Sequence, residues 1–258
     1  MSDLFDISGR TALITGGSRG IGLMIAEGMV RAGASVIISS RKTEDLQATA
    51  SELSKLGSCE AITGDVSTPD GVAQLARATR EIHPTLDVLV NNAGAVWGAP
   101  LEDFPRAGWE KVLNTNVEGV FNLTVELLPA LRGAASPGDP ARVINIGSID
   151  GIRTPMTENY SYSASKAAVH MVTRHLAKRL AGESITVNAI APGPFESKMM
   201  AFILDDPASR EMVEQSVPLG RIGRPDDAAG LAIFLASRAG AYLTGAVIPL
   251  DGGITGCN

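Results

Sequence analysis

Three side chains stand at spacings that suit proton transfer: Ser148, Tyr162 fourteen residues later, and Lys166 four beyond that. In a helix, positions i and i+4 leave one face about 6 Å apart along the axis. An ammonium held near a phenol favours the phenolate and draws a tyrosine pKa down from about 10. Tyr162 would then serve as proton donor and acceptor near neutral pH. Its neighbour Tyr160 has Ala164 at the matching place, so the pairing singles out Tyr162. Alone, Tyr-x-x-x-Lys is a common accident of solvated helix faces, and its meaning depends on the elements around it.

Those elements alternate. Short, largely β-branched runs read as strands over Thr11–Thr15, Ser35–Ser39, Glu60–Thr63, Leu86–Val90, Arg142–Ile146, Thr186–Ile190 and Ala246–Pro249. Most are apolar at successive positions, as parallel strands covered on both faces should be. Helix-periodic stretches fill the gaps: Gly20–Ala32, Thr43–Leu56, Pro69–Ile82, Trp109–Leu131, Ser161–Ala181 and Pro225–Ala236. The alternation predicts an α/β fold: a Rossmann-type, doubly wound parallel sheet of seven strands with helices on both faces. No linker or internal repeat divides the chain, so residues 1–258 read as a single domain. Ligands should bind at the carboxyl ends of the strands.

The first strand runs straight into Gly16-Gly17-Ser18-Arg19-Gly20-Ile21-Gly22 and then a helix. Glycines let the backbone approach a pyrophosphate, and the helix N-terminus offers unpaired N–H groups and positive dipole. Strand, glycine turn and helix in that order form a dinucleotide-binding signal. An NAD site usually places a carboxylate at the end of the second strand to hold the ribose 2′-hydroxyl. Here that place belongs to Ser40, followed by Arg41, with Arg19 within reach from the loop. A 2′-phosphate is repelled by carboxylate and gripped by guanidinium, so the pattern selects NADP(H). Read blandly, Arg41 and Lys42 are a solvated cluster at a helix start, and Arg19 is a surface residue. Asp65-Val66, after the third strand, either meets the adenine or caps the next helix. In Asn91-Asn92-Ala93-Gly94, after the fourth, small residues let the backbone pass a cofactor, while Asn91 suits a bond across strand ends as well.

Composition narrows the function. The net charge is −6, which argues against nucleic acid as the main partner. Cys59 and Cys257 match no zinc spacing, and with three histidines no metal site is expected. The first residues lack a signal-peptide pattern, and no apolar run reaches the length of a membrane span. The expectation is a cytoplasmic protein with reduced thiols, independent of membranes. Pro192–Gly223 is the least regular stretch. It reads either as a surface loop or, from about 194 to 223, as a lid over the strand ends, carrying Phe195, Met199, Met200, Phe202 and Ile203.

Taken together, Thr15-Gly16-x-x-x-Gly20-Ile21-Gly22, Asn91-Asn92-Ala93-Gly94, Ser148 and Tyr162-x-x-x-Lys166 resemble the short-chain dehydrogenase/reductase family in order and spacing. Asn116 and Pro192-Gly193 add to the likeness, which covers essentially the whole chain. The resemblance implies that Tyr162 is the acid/base, that Lys166 binds the nicotinamide ribose and lowers the tyrosine pKa, and that Ser148 bonds the reacting oxygen. It implies that Asn116 holds a water linking Lys166 to solvent. The cofactor would be lined by Gly16, Ser18, Arg19, Gly20, Ile21, Gly22, Ser40, Arg41, Asp65, Val66, Asn91, Ala93 and Gly94. Pro192, Gly193, Phe195 and Ser197 would flank the nicotinamide together with Ile190, Ser197 standing where many relatives carry threonine.

The chain is most similar to 3-oxoacyl-thioester reductases, including the branch associated with rhamnolipid precursors. The expected substrate is therefore a 3-oxoacyl group on acyl-carrier protein or coenzyme A. Another small ketone, or a secondary alcohol taken in the oxidative direction, is the alternative. A cofactor-binding sensor without turnover is the third reading, and it sits poorly with an intact Ser–Tyr–Lys set. The resemblance further implies a homotetramer, built on the helices around Trp109–Leu131 and Ser161–Ala181 and on the last strand. Burial of those helices within one subunit would leave the same sequence pattern.

Overall fold

The computed structural model describes residues 4–197, 200 and 205–257. Seven strands form one parallel sheet: β1 (Thr11–Thr15), β2 (Ser35–Ser40), β3 (Cys59–Thr63), β4 (Val88–Asn91), β5 (Ala141–Ile146), β6 (Ile185–Pro192) and β7 (Val247–Leu250). Their order is β3-β2-β1-β4-β5-β6-β7. The chain winds outward from β1 in one direction and from β4 in the other, so the order reverses between β1 and β4. That is where a doubly wound sheet opens a ligand crevice.

The apolar runs split between two cores. Ala12 and Ile14, Val36 and Ile38, Val88 and Val90, and Ile144 and Ile146 face one cluster. Leu13, Ile37, Leu89 and Val143 face the other. Period-two alternation is therefore present, but both faces are buried, and the sequence reads as continuously apolar. Helices α1 (Gly20–Arg31), α2 (Thr43–Leu53) and α8 (Pro225–Ala236) close the first face, with Gly28 letting α8 approach so near that a Cβ there would lie 2.3 Å from that of Ala229. Helices α3 (Pro69–Ile82), α5 (Gly119–Ala134) and α6 (Tyr160–Leu180) close the second.

Two features depart from the sequence expectation. The helix predicted over 109–131 runs from α4 (Arg106–Leu113) through a π turn at Asn114–Glu118 into α5. The irregular 194–223 stretch contains a helix, α7 (Pro207–Ser216), begun by the Asp206 side chain accepting the Ser209 amide and by Pro207 at its first position. None of its residues is buried, which is why no apolar face announced it. Met199, Phe202 and Ile203 of the expected lid lie outside the described residues.

Because every strand is parallel, all carboxyl ends fall on one edge. Gly16, Arg41, Gly64, Asn92, Gly147-Ser148, Gly193 and Asp251 each lie just past a strand on that edge.

Candidate active site

Helix α6 carries Tyr162 and Lys166 on the face it turns toward the end of β5. Lys166 is 5% exposed, and its Nζ donates to the Ile146 carbonyl at 2.8 Å. The same Nζ lies 5.5 Å from the centre of the Tyr162 ring. Ser148, two residues past Ile146, lies beside the Tyr162 phenol, and its Oγ accepts the Asp150 amide at 3.1 Å. The three groups thus converge on one point. Tyr160 is elsewhere: its hydroxyl donates to Glu158 and its ring meets Phe104 edge-on.

The protonation of the pair is not what i, i+4 spacing foretold. Burial pushes the Tyr162 phenol up to about 12, the Ser148 bond pulls it back, and the Asp150 carboxylate adds to the rise. Burial also pushes Lys166 down to about 8. Loss of water disfavours the charged form of each, and the ammonium spends its bond on a carbonyl instead of the phenol. One turn further along α6, His170 packs into the back of the site. A Cβ on Gly147 would lie 2.2 Å from its Nε2, and one on Gly151 2.9 Å from its Cε1. Burial, helped by Lys166 and Arg174, holds His170 neutral with a pKa of about 4.

Asn116 sits in the π turn, 1% exposed. Its Oδ1 accepts the Ala95 amide at 2.7 Å, and its Nδ2 donates to the Ala95 carbonyl and to Ser165 Oγ, both at 2.9 Å. The side chain expected to hold a water is therefore occupied in tying three segments together. It remains close to Lys166: a Cβ on Gly94 would be 3.5 Å from Asn116 Oδ1 and 3.8 Å from Lys166 Nζ.

The glycine loop lies across the crevice. Gly16 and Gly20 adopt φ of 66° and 54°, which side-chain-bearing residues avoid. Asn92 locks the turn, donating from Nδ2 to the carbonyls of Thr15 and Gly16, while Thr15 Oγ1 accepts the amides of Asn92 and Ala93. A Cβ on Gly22 would come within 2.4 Å of that Nδ2, so the glycines there serve packing as well as access. Arg19 stands at the N-cap of α1 with no side-chain cap bond, Ser18 receives the Thr49 hydroxyl on its carbonyl, and Ile21 packs partly against the core. Beside this loop, a cleft of about 450 Å³ opens between Arg41, Thr63, Gly64, Asp65, Gly71 and Gln74. Ser40, next to Arg41 and paired with Thr63 across β2 and β3, has its Oγ buried without a hydrogen-bond partner. An orphaned hydroxyl, an exposed guanidinium and a helix N-terminus are what a phosphorylated nucleotide would engage.

Other expected cofactor residues are committed elsewhere. Asn91 donates to Thr124 Oγ1 and Asn145 Oδ1, and Asn145 continues to Thr173, a buried polar chain across β4 and β5. That is the strand-bridging alternative. Asp65 Oδ1 takes both the amide and the hydroxyl of Ser67, and Val66 is buried in the second core. Phe195 is 2% exposed and packs in the first core, its ring lying where a Cβ on Gly223 would stand. Pro192 ends β6, and Gly193 lies so close to Asp251 that a Cβ would meet it at 2.8 Å. Ser197 faces the glycine loop, 3.4 Å from where a Cβ on Gly20 would be. Trp97 packs on Gly108 with Lys111 over its ring. Asp150, His170 and the locking role of Asn92 escaped the sequence reading. The signal for His170 was its place four residues beyond Lys166.

Comparison with known proteins agrees with this geometry. A family model described as enoyl-(acyl carrier protein) reductase matches residues 16–255. The chain is 53% identical to a rhamnolipids biosynthesis 3-oxoacyl-[acyl-carrier-protein] reductase of Pseudomonas aeruginosa, over 98% of this chain and 99% of that one. It is 35% identical to a gluconate 5-dehydrogenase of Gluconobacter oxydans, over 98% and 97% of the two chains. Among solved structures it superposes on a Pseudomonas aeruginosa RhlG/NADP active-site complex with a TM-score of 0.96 at 52% identity, covering 99% of this chain and 100% of that one. From fold, site and relatives alike, the chain belongs to the short-chain dehydrogenase/reductase family.

Proposed function

We propose that this protein is an NADPH-dependent ketoreductase that converts a 3-oxoacyl thioester, on acyl-carrier protein or coenzyme A, to the 3-hydroxyacyl thioester. The observation that carries the reading is the convergence of the Ser148 hydroxyl and the Tyr162 phenol, with Lys166 buried beside them, at the strand ends next to the glycine loop. A reduced nicotinamide, when bound, supplies the hydride. Charge then develops on the substrate oxygen, where two preorganised donors are worth most. Ser148 holds that oxygen and Tyr162 gives it a proton, while the Lys166 ammonium stabilises the phenolate left behind. The glycine loop with Ser18, Arg19 and the start of α1 would hold the pyrophosphate. Ser40 and Arg41 would hold the 2′-phosphate, and the Asp65 region the adenine. Asn116 would position Lys166 through Ala95 and Ser165.

The identity to the 3-oxoacyl reductase exceeds that to the gluconate dehydrogenase by a wide margin, which favours a thioester over a sugar acid. Segment 194–223 is read as a lid, since it follows the carboxyl end of β6 and the helix within it, α7, has no buried residue. Phe121 and Val125 on α5 and Met171 on α6 are exposed apolar residues that a homotetramer would cover, and light scattering tests that assembly. No helix among the described residues is long and apolar enough to cross a membrane.

The deciding assay is steady-state turnover of acetoacetyl, crotonyl and simple-ketone substrates with NADPH and NADH. Reduction of the 3-oxo thioester ahead of the others is the expected result. Turnover of crotonyl thioester alone would make the protein an enoyl reductase, and indifference to thioesters would remove the leading substrate. Tyr162→Phe should abolish turnover and leave NADPH binding, followed by its fluorescence, nearly unchanged.

A further inference from the structure

The turn that carries Ser148 is held in three ways. Its own hydrogen bonds close it, the Asp150 amide donating to Ser148 Oγ at 3.1 Å and the Gly151 amide to the Ser148 carbonyl at 3.0 Å. Gly151 lies against α6, where a Cβ would meet the Lys166 carbonyl carbon at 2.6 Å and the Ala167 nitrogen at 2.7 Å. The third hold is Ile149, the residue after Ser148. It is buried apart from both main cores, in a small apolar cluster with Val217 and Ile254. Val217 is the C-cap of α7, and Ile254 belongs to the turn that follows β7. That last turn is itself rigid. Asp251 Oδ1 accepts the Gly253 amide at 2.9 Å, and its Oδ2 accepts the amide and hydroxyl of Thr255 at 2.8 and 2.7 Å. Gly252 takes a φ of 64°, and a Cβ on it would stand 2.5 Å from Val217 Cγ1. The Leu219 amide donates to the Gly252 carbonyl at 3.1 Å, and Gly193, just past β6, presses on Asp251.

We propose that Ile254 is a positioning residue for Ser148: with Val217 it seats Ile149, and so keeps the serine hydroxyl where charge develops on the substrate oxygen. The inference rests on the reading of Ser148 as the donor to that oxygen. Such a donor has to be held within about 0.5 Å of its productive place by packed neighbours. Hydrogen bonds set the shape of the catalytic turn, and Gly151 sets its approach to α6. The cluster adds a tie to the foot of α7 and to the segment after β7, elements otherwise remote from Ser148 in sequence. Against two large cores, three apolar side chains add little to the stability of the sheet. Their burial falls instead beside the residue whose placement decides the chemistry. Ile254 has no group able to donate to the reacting oxygen, and it acts through Ile149.

The test is Ile254→Ala in the full-length protein. The emptied seat should lower kcat and kcat/KM for ketone reduction together by about tenfold, with KM and NADPH binding little changed. Ile254→Val, which keeps the branched shape, should recover most of that loss. In a Ser148→Ala background, Ile254→Ala should cost nothing further, because the group it positions is gone. A second readout needs no substrate. Hydrogen exchange of the Asp150 and Gly151 amides, both closed on Ser148, should quicken in Ile254→Ala while the amides of β5 keep their protection. Should Ile254→Ala fail to fold, Ile254→Val takes its place in the same measurements, with a smaller change of the same kind expected. Unchanged exchange at the two amides overturns the proposal, as does an equal loss of rate with and without Ser148. Quickened exchange in a protein that reduces no carbonyl supports the positioning of Ser148 and overturns the ketoreductase reading alone.

Discussion

Gly147→Ala is the sharpest probe of how the catalytic turn is held. The new methyl would lie 2.2 Å from His170 Nε2 and 2.8 Å from its Cδ2, with the Ile190 carbonyl at 3.3 Å closing the other side. Non-bonded atoms rest at about 3.5 Å, so the overlap exceeds an ångström. His170 is 5% exposed and cannot swing away, so the strain falls on the Gly147-Ser148 backbone. Overpacking of this kind costs about 1–3 kcal/mol, a fall of about 4–8 °C in melting temperature at the middle of that range. Displacing Ser148 by about 1 Å from the phenol should lower kcat/KM about 100-fold. The decisive measurement is a double-mutant cycle with His170→Ala, which removes the obstructing ring. If the clash is the cause, Gly147→Ala/His170→Ala should recover most of the activity lost by Gly147→Ala alone. A Gly147→Ala protein of unchanged kcat/KM, or a double variant no better than the single, would refute the reasoning.

Arg41→Asp should reverse the NADPH preference, because a carboxylate beside Ser40 repels a 2′-phosphate and accepts a 2′-hydroxyl; the ratio of kcat/KM for the two cofactors reads it, and an unchanged ratio removes Arg41 from the site. At the opposite edge of the sheet, Arg142 is 1% exposed and bonds Asp139 and the Ser237 carbonyl, but its Nε and Nη1 are buried without partners. Arg142→Met should therefore change stability by no more than about 1 kcal/mol, while Asp139→Asn, which strands that cation, should cost about 2 kcal/mol in denaturant unfolding. Equal losses would show that the pair contributes more than its desolvation costs. Arg10 and Arg142 together hold the Asp139 pKa below its ordinary value against the effect of burial. Its contribution to stability is thus present above the unfolded carboxylate pKa and is lost as pH falls through the lower folded one.

The sheet was legible because parallel strands bury both faces and carry β-branched residues at successive positions. All seven strands fall within two residues of their expected limits at every end, whereas spacing only set Tyr162 and Lys166 on one helix face and the family resemblance supplied the roles of the Ser–Tyr–Lys set. What stayed hidden depends on contacts made across the fold. The π turn at 114–118 inserts a single-residue shift that a 3.6-residue period absorbs without trace. The start of α7 was written in Asp206-Pro207, but a helix without a buried face has no periodicity to support that signal. Spacing placed Lys166 near Tyr162, yet the Ile146 carbonyl that accepts its hydrogen bond comes from a strand twenty residues away. Likewise, the bonds of Asn91 to Thr124 and Asn145, and of Asn116 to Ala95 and Ser165, were hidden because the sequence shows what a side chain is able to bond, not which partner reaches it.

The raised phenol pKa looks at first like an obstacle to a proton donor, and the direction of the reaction resolves it. In reduction the acceptor is an alkoxide, whose conjugate acid has a pKa on the order of that of bulk water, about 15.7. A phenol at about 12 therefore gives up its proton downhill, and burial that keeps it protonated costs the forward step nothing. Lys166 matters after the transfer: at the 5.5 Å ring distance its charge stabilises a phenolate by about 3 kcal/mol for an effective dielectric near 20, about two pKa units, comparable to what burial took away. Oxidation of the alcohol is different, because the phenolate must exist before the hydride leaves. The fraction of phenolate beside an ammonium grows tenfold per pH unit until Lys166 gives up its own proton near pH 8. The kcat/KM for alcohol oxidation should accordingly climb from pH 7 to about 8 and flatten above it, while that for ketone reduction stays nearly level over the lower part of the range. A level oxidative profile would mean that the proton leaves by a route other than Tyr162.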